Sequence, residues 1–313
     1  MLSFDDFKTY VTENIADKLW EFDIEEIQNM KVVKNNGVIL DSLVIMEEGS
    51  NVAPNIYLEG FYADYMRNGD EEYELDEIVK AYKSIRVPDV INADIFMQRD
   101  YIFDNVYLTV VNYDKNCSML KNVPYKRIND LALTVQCMVE QRDGEIASFR
   151  MKNANLAKAG ITPAEIFERA RENTLELFPP TLRSMRDAIE ELSGEPLPEE
   201  MNEMPEIYVL SNTYGTNGAT YMAYPDIVKE KLQEVGVTNA YILPSSVHEV
   251  IILPDDGNSD ADILSDMVKT INENELDEKD ILSDNVYYIS ENEKEITQLT
   301  GLNQPEKDME RGM

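Results

Sequence analysis

The stretch ATYMAYPDIVKEKLQEVGVTNAYILPSSVHEVIIL, residues 219–253, decides the fold class. Pro225 and Gly236 bracket a helix. Proline's fixed φ suits a first helical turn, and glycine accepts the left-handed residue past the end. AYIL (240–243) and HEVIIL (248–253) are short apolar runs on either side of a turn and read as strands. Upstream, EIYVLSNTYGTNGATYMAY (206–224) reads as strand, Asn217-Gly218 turn and strand. Downstream, SDADILSDMVKTINE (259–273) has the spacing of a helix that buries Ile263, Leu264, Met267, Val268 and Ile271, and NVYYIS (285–290) reads as a closing strand. From 219 onward the succession is βαββαβ, the ferredoxin-like one, preceded by one extra strand. The expected class is α+β.

The rest of the chain fits that class. Phe4, Phe7, Val11, Ile15 and Leu19 form a one-sided helical stripe, with Ser3 as N-cap and Asp5 and Asp6 in the first turn. Asn36-Gly37 sits between two β-rich runs in KVVKNNGVILDSLVIM and marks a hairpin. Helices are expected over roughly 54–67 and 74–84, broken at Asn68-Gly69. YIFDNVYLTVVNY (101–113) reads as a strand, and LALTVQCMV (131–139) alternates so that Cys137 points inward. Asp143-Gly144 turns the chain into EIASFRMKN. Thr162, Pro163 and Glu165 form a capping box. TLRSMRDAIEEL (181–192) reads as a helix, and EPLPEEMNEMPE (195–206) as an exposed linker. The expected divisions are 1–100, 101–194, 205–290 and a flexible tail over 291–313.

Charge narrows the function classes. The chain has 61 Asp and Glu against 28 Lys and Arg, a net charge of −33. Affinity for phosphate backbones comes from Lys and Arg releasing counterions, so direct nucleic-acid binding is not expected. Anionic membrane surfaces are disfavoured for the same reason. A basic protein partner is the natural complement, and mimicry of nucleic acid is a sharper form of that idea. Nothing in the residues sets an oligomeric state. The N-terminus lacks the basic start and apolar run of a signal peptide, and no stretch approaches the ~20 apolar residues of a membrane helix, so a cytoplasmic location is expected.

His248, the only histidine, lies among Ser245, Ser246 and Glu249. These four are the candidate binding residues. No catalytic set is complete: a nucleophile and base must meet within hydrogen-bond reach, and neighbours along an extended chain rarely do. No G-x-S-x-G elbow exposes either serine. The preferred reading is a hydrogen-bonded histidine at a strand end. A hydrolase site around His248 is the alternative, and it needs a distant residue from 208–221 to complete it. PDDGNSDADI fails as an EF-hand loop, since Ala261 falls where glycine is required and Met267 where glutamate is. Gly215 and Gly218 match neither nucleotide-binding glycine pattern. No metal and no cofactor is expected.

YILPSSVHEVIILPDDG, with IYVLSNTYGTNGATYMAYPDIVKEKL and NVPYKRINDLALTVQCMV before it, resembles a domain-of-unknown-function family of gut clostridia and related Firmicutes. The likeness is densest over 120–290. It implies a bacterial, α+β protein and carries no assigned reaction, cofactor or active site. The expectation that results is an acidic, non-catalytic protein-interaction module.

Overall fold

The computed structural model describes residues 1–50, 52–85, 93–142, 145–194 and 206–301. The chain divides into two compact units, Met1–Gln98 and Arg99–Met313. Both mix helices with antiparallel sheet, so the α+β class holds. Among the described residues, no helix is long and apolar enough to cross a membrane. The stretch 195–205, which takes in most of the expected linker, the Asp143-Gly144 turn and residues 302–313 lie outside the described residues.

The first unit holds α1 (Phe4–Lys18), β1 (Ile24–Val33), β2 (Ile39–Glu47), β3 (Asn55–Tyr57), α2 (Leu58–Asn68) and α3 (Glu71–Ile85). Ser3 caps α1 by accepting the Asp6 amide at 3.2 Å. Asn36 and Gly37 both take positive φ, 58° and 76°, and so the hairpin closes with Val33 opposite Ile39. The sheet runs β1-β2-β3. One face carries Leu43, Ile45 and Ile56 into an apolar cluster with Phe7, Val11 and Ile15 of α1 and Tyr82 of α3. The expected helix from 54 begins later. Residues 55–57 instead pair with β2, Ser42 opposite Tyr57, and Pro54 lies just outside that ladder, where its missing N–H costs no strand bond. Trp20, the chain's one tryptophan, comes just after α1 and is 83% exposed.

The second unit opens with α4 (Arg99–Asn105), β4 (Val106–Asn112), α5 (Cys117–Leu120), β5 (Tyr125–Ile128), β6 (Leu131–Arg142) and β7 (Glu145–Arg150). The long β6 pairs with β4, β5 and β7. Residues 101–105, expected as strand, belong to α4. Next come α6 (Asn153–Ala159), α7 (Pro163–Leu177), β8 (Pro180–Ser184) and α8 (Met185–Ser193). The Thr162–Glu165 capping box forms as expected. The helix expected from 181 starts at 185, because 180–184 pair with a later strand and Ser184 serves as the N-cap of α8.

The last part holds β9 (Tyr208–Asn212), α9 (Pro225–Glu234), β10 (Ala240–Leu243), β11 (Val250–Pro254), α10 (Ala261–Glu275), β12 (Tyr287–Ile289) and β13 (Thr297–Gln298). These strands and β8 form one sheet, β13-β12-β10-β11-β9-β8. The βαββαβ succession holds along the chain with β9 as its first strand. Residues 218–223, expected as that strand, form a 3-10 helix. Residues 218–222 are buried in an unbroken run, without the alternation of a strand that has one face in solvent. Across the sheet β10 and β11 are central, whereas a ferredoxin-like sheet centres its first and third strands.

One apolar cluster draws on both sides of 195–205: Val135 and Cys137 of β6, Ile166 and Phe167 of α7, and Leu210, Ile242, Ile252 and Tyr287 of the second sheet. The other face of the β10–β11 hairpin packs Leu243 against Leu264 and Val268 of α10 and against Val286. Coverage on both faces explains the unbroken apolar run 250–253. Within α10, Leu264 and Val268 are buried as expected, but Ile263, Met267 and Ile271 are exposed, at 66%, 50% and 41%. The tail expected from 291 does not describe residues 291–301: Ile296 joins the core and Gln298 pairs with Tyr287.

Candidate functional site

The segment between β10 and β11 is tied down on two sides. Toward 280–283, Leu282 N–H donates to Ser245 O at 2.7 Å, Ser283 N–H to Pro244 O at 3.0 Å, and Val247 N–H to Asp280 O at 2.9 Å. Toward the turn after β9, Gly218 N–H and Ser211 Oγ both donate to His248 O at 2.8 Å. His248 therefore sits in a bend immediately before β11, not within it. Its side chain is 40% exposed, so the ring lies at the sheet margin with one edge in water.

The ring joins three parts of the chain. Nδ1 faces Asn217 N–H and Thr216 Oγ1, each at 3.4 Å, and Nε2 faces Asp280 Oδ1 at 3.3 Å. A backbone amide only donates, so Nδ1 is the acceptor. The ring hydrogen then sits on Nε2 and points at the carboxylate. Asp280 is shared with Lys279, whose Nζ reaches Oδ2 at 2.9 Å and Asp277 at 2.5 Å. Burial works to lower the Lys279 pKa, but its bonds to Asp277 and Asp280 outweigh that and hold it above its ordinary value.

The four sequence candidates separate. Ser246 is buried, and its Oγ accepts the His248 amide at 3.0 Å, leaving the ring to others. Ser245 is half-buried and holds 282 through its carbonyl. Glu249 is exposed, and the carboxylate that meets the ring is Asp280. Thr216 does fall within 208–221, the range from which a completing residue was sought. Asn217 is visible in sequence only as half of an Asn-Gly turn, and it takes φ 55° there. Asp280 has no sequence signature, being one acid among many after α10.

Thr216, His248 and Asp280 are formally a hydroxyl, an imidazole and a carboxylate in series. Two features set the series apart from a closed nucleophile–base pair. The acceptor nitrogen is divided between a hydroxyl and a backbone amide. Both lie at the outer limit of hydrogen bonding, beyond the roughly 2.6–3.2 Å of a working nucleophile–base pair.

The acidic turn after β11 is explained by its own backbone. Asp255 accepts Gly257 N–H and Asp256 accepts Asn258 N–H, both at 2.9 Å, and Asp260 caps α10 through Asp262 N–H at 2.8 Å. The bonds from Asn258 hold the Asp256 carboxyl below its ordinary value. Cys137 is buried in the core, which pushes its thiol up to about 12. Among the described residues, no group of three or more His, Cys, Asp or Glu is arranged to hold a metal ion.

A family of unknown function, DUF5688, matches residues 4–291. The chain belongs to that family. The DUF5688 match takes in nearly all of the first compact unit and the second as far as 291, with the His248 anchor and α10 inside it. No curated protein and no solved structure matches the chain.

Proposed function

We propose that the chain is a non-catalytic protein-interaction module of the bacterial cytosol whose partner is basic. The observation that carries this is the excess of 61 acids over 28 bases. Several of the bases are already held by the chain's own acids, among them Lys8 by Asp41, Lys18 by Glu72 and Asp76, and Lys279 by Asp277 and Asp280. The remaining negative field attracts a cationic surface and raises its rate of encounter. The anchored geometry of His248 supports the non-catalytic half of the reading. The resemblance to a family of gut clostridia and related Firmicutes, densest over 120–290, supports the bacterial half.

The experiment is affinity capture with the tagged full chain from lysate of the source cells, washed at rising salt. A basic protein retained at low salt and released as screening rises supports the reading. Retention indifferent to salt, or none, overturns it. Displacement of the captured protein by duplex DNA would identify the nucleic-acid-mimicking form of the same activity. A second reading, a hydrolase at Thr216–His248–Asp280, is favoured by the series itself. It requires Thr216→Val to abolish a turnover that the parent chain shows on an ester or amide panel.

A further inference from the structure

The second unit presents one helix face that its own core does not use. In α10, Ile263, Met267 and Ile271 stand four residues apart and so line up along the helix. They are 66%, 50% and 41% exposed, while Leu264 and Val268, one position on, are buried against the β10–β11 hairpin. The apolar surface thus continues from the packed side of the helix round to its outer side. A helix needs only the inner stripe to hold its place on a sheet. Three large side chains left in water in one line are beyond that need, and aligned exposed apolar residues mark contact surfaces.

Charge states what kind of partner fits. Along the outer border of the stripe run Asp262, Asp266 and Glu273, all exposed. Residues 255–284 contain eleven Asp and Glu against two lysines. Lys269 pairs with Asp266 at 3.4 Å, and Lys279 with Asp277 and Asp280. A second copy of this chain would bring an equally acidic border against the first, and like charges brought together across an interface repel and disfavour the pairing. An acidic peptide meets the same obstacle. A helix with an apolar stripe edged by Lys and Arg meets neither.

We infer that the outer face of α10 is a docking surface for a basic amphipathic helix of another protein, held by Ile263, Met267 and Ile271 and oriented by Asp262, Asp266 and Glu273. This rests on the interaction reading and names its site.

The test titrates the full chain into a fluorescent synthetic helix of leucine and lysine in amphipathic order, with a shuffled peptide of the same composition as control. The ordered peptide is expected to bind more tightly than the shuffled one. The double variant Ile263→Ser, Met267→Ser is expected to weaken that binding by about tenfold or more, the scale of lost anchor side chains. Asp266→Lys with Glu273→Lys is expected to weaken it as well and to flatten its salt dependence. The substituted residues are all exposed, so each variant should keep the parent's circular dichroism. If both variants bind the ordered peptide as the parent does, the attraction is a diffuse one to acidic surface; the α10 assignment falls and the interaction reading stands. If the parent binds neither peptide, the interaction reading falls with it. A parent dimer in sedimentation velocity that Ile263→Ser, Met267→Ser dissolves would make the occupant a second copy and overturn the assignment.

Discussion

The amide of Gly218 donates to the carbonyl of His248 at 2.8 Å, and the two segments lie so close that a Cβ at position 218 would stand 2.5 Å from that oxygen. The same Cβ would stand 2.5 Å from Ser211 Oγ and 2.6 Å from Ser211 Cα, so backbone as well as side chain would have to give way. Glycine is required here by approach, with no demand on φ. Gly218→Ala is therefore expected to cost about 1–3 kcal/mol, the range for overpacking a filled site. Urea unfolding monitored by far-ultraviolet circular dichroism measures it, and a variant as stable as the parent would refute the close approach.

His248→Ala removes contacts to Asn217, Thr216 and Asp280 that are all 3.3 Å or longer, from a ring partly in water. The expected loss is about 0.5–1.5 kcal/mol, the net worth of ordinary hydrogen bonds. Affinity for the basic partner should be unchanged within twofold or so, since the ring's contacts are all within its own chain and a charge-driven contact draws on the acidic surface. Denaturation and a binding titration on the same sample check both halves.

Much of this architecture was legible in sequence, and the misreadings have physical causes. Local signals succeeded where local chemistry decides: Asn36-Gly37 made its hairpin, Thr162 and Glu165 their capping box, and Ser3 its cap. Strand assignment failed at 219–224 because ATYMAY is apolar enough for a strand, while the amides of Gly218 and Ala219 bond to His248 O and Val247 O instead of a ladder. In α10 the periodicity located the helix correctly. It could not say that Leu264 and Val268 face the sheet while Ile263, Met267 and Ile271 do not, because one apolar stripe served both sides. The site fared similarly. His248 was found by being alone, whereas Asp280 lies 32 positions on and only the ties across 280–283 bring it to the ring.

Asp130 links the β5–β6 turn to the residues before and within β12. Its carboxylate accepts Ser283 Oγ at 2.6 Å and Asn285 Nδ2 at 2.8 Å, and the Tyr287 hydroxyl as well. Burial pushes its pKa above the ordinary 3.8 despite those donors. A carboxyl raised in the folded state binds its proton more tightly there than in the unfolded chain. Its contribution is fully present below pH 3.8 and is lost as pH rises through the folded value. Stability of the parent relative to Asp130→Asn should therefore fall as pH rises above 3.8 and then level off. Parallel urea titrations at stepped pH show the difference, and a difference that rises with pH would contradict it.

The two cysteines should differ in reactivity. Cys117 is exposed, whereas Cys137 is buried with its thiol pushed up to about 12, so almost none of it is thiolate at neutral pH. A maleimide reagent should label one site in the folded protein, and Cys117→Ser should remove that labelling until denaturant is added. Rapid labelling of the folded Cys117→Ser chain would show that the core around β6 opens.

Residues Met1–Gln98 close their own apolar cluster, from Phe7 of α1 to Tyr82 of α3. We expect the fragment 1–98 to fold alone, with a cooperative urea transition and helical circular dichroism. A fragment lacking any transition would show that this unit depends on the rest of the chain.

Trp20 already stands in water in the native protein. Its emission has little room to shift when the chain opens, and it answers only for the neighbourhood of α1. Tyrosine carries the optical signal of the interior instead: Tyr82 reports the first core, while Tyr107, Tyr221, Tyr224 and Tyr287 are sealed in the second unit. Spectroscopists tracking this protein by its indole would see a bystander, and near-ultraviolet dichroism of the phenols is where loss of packing will register.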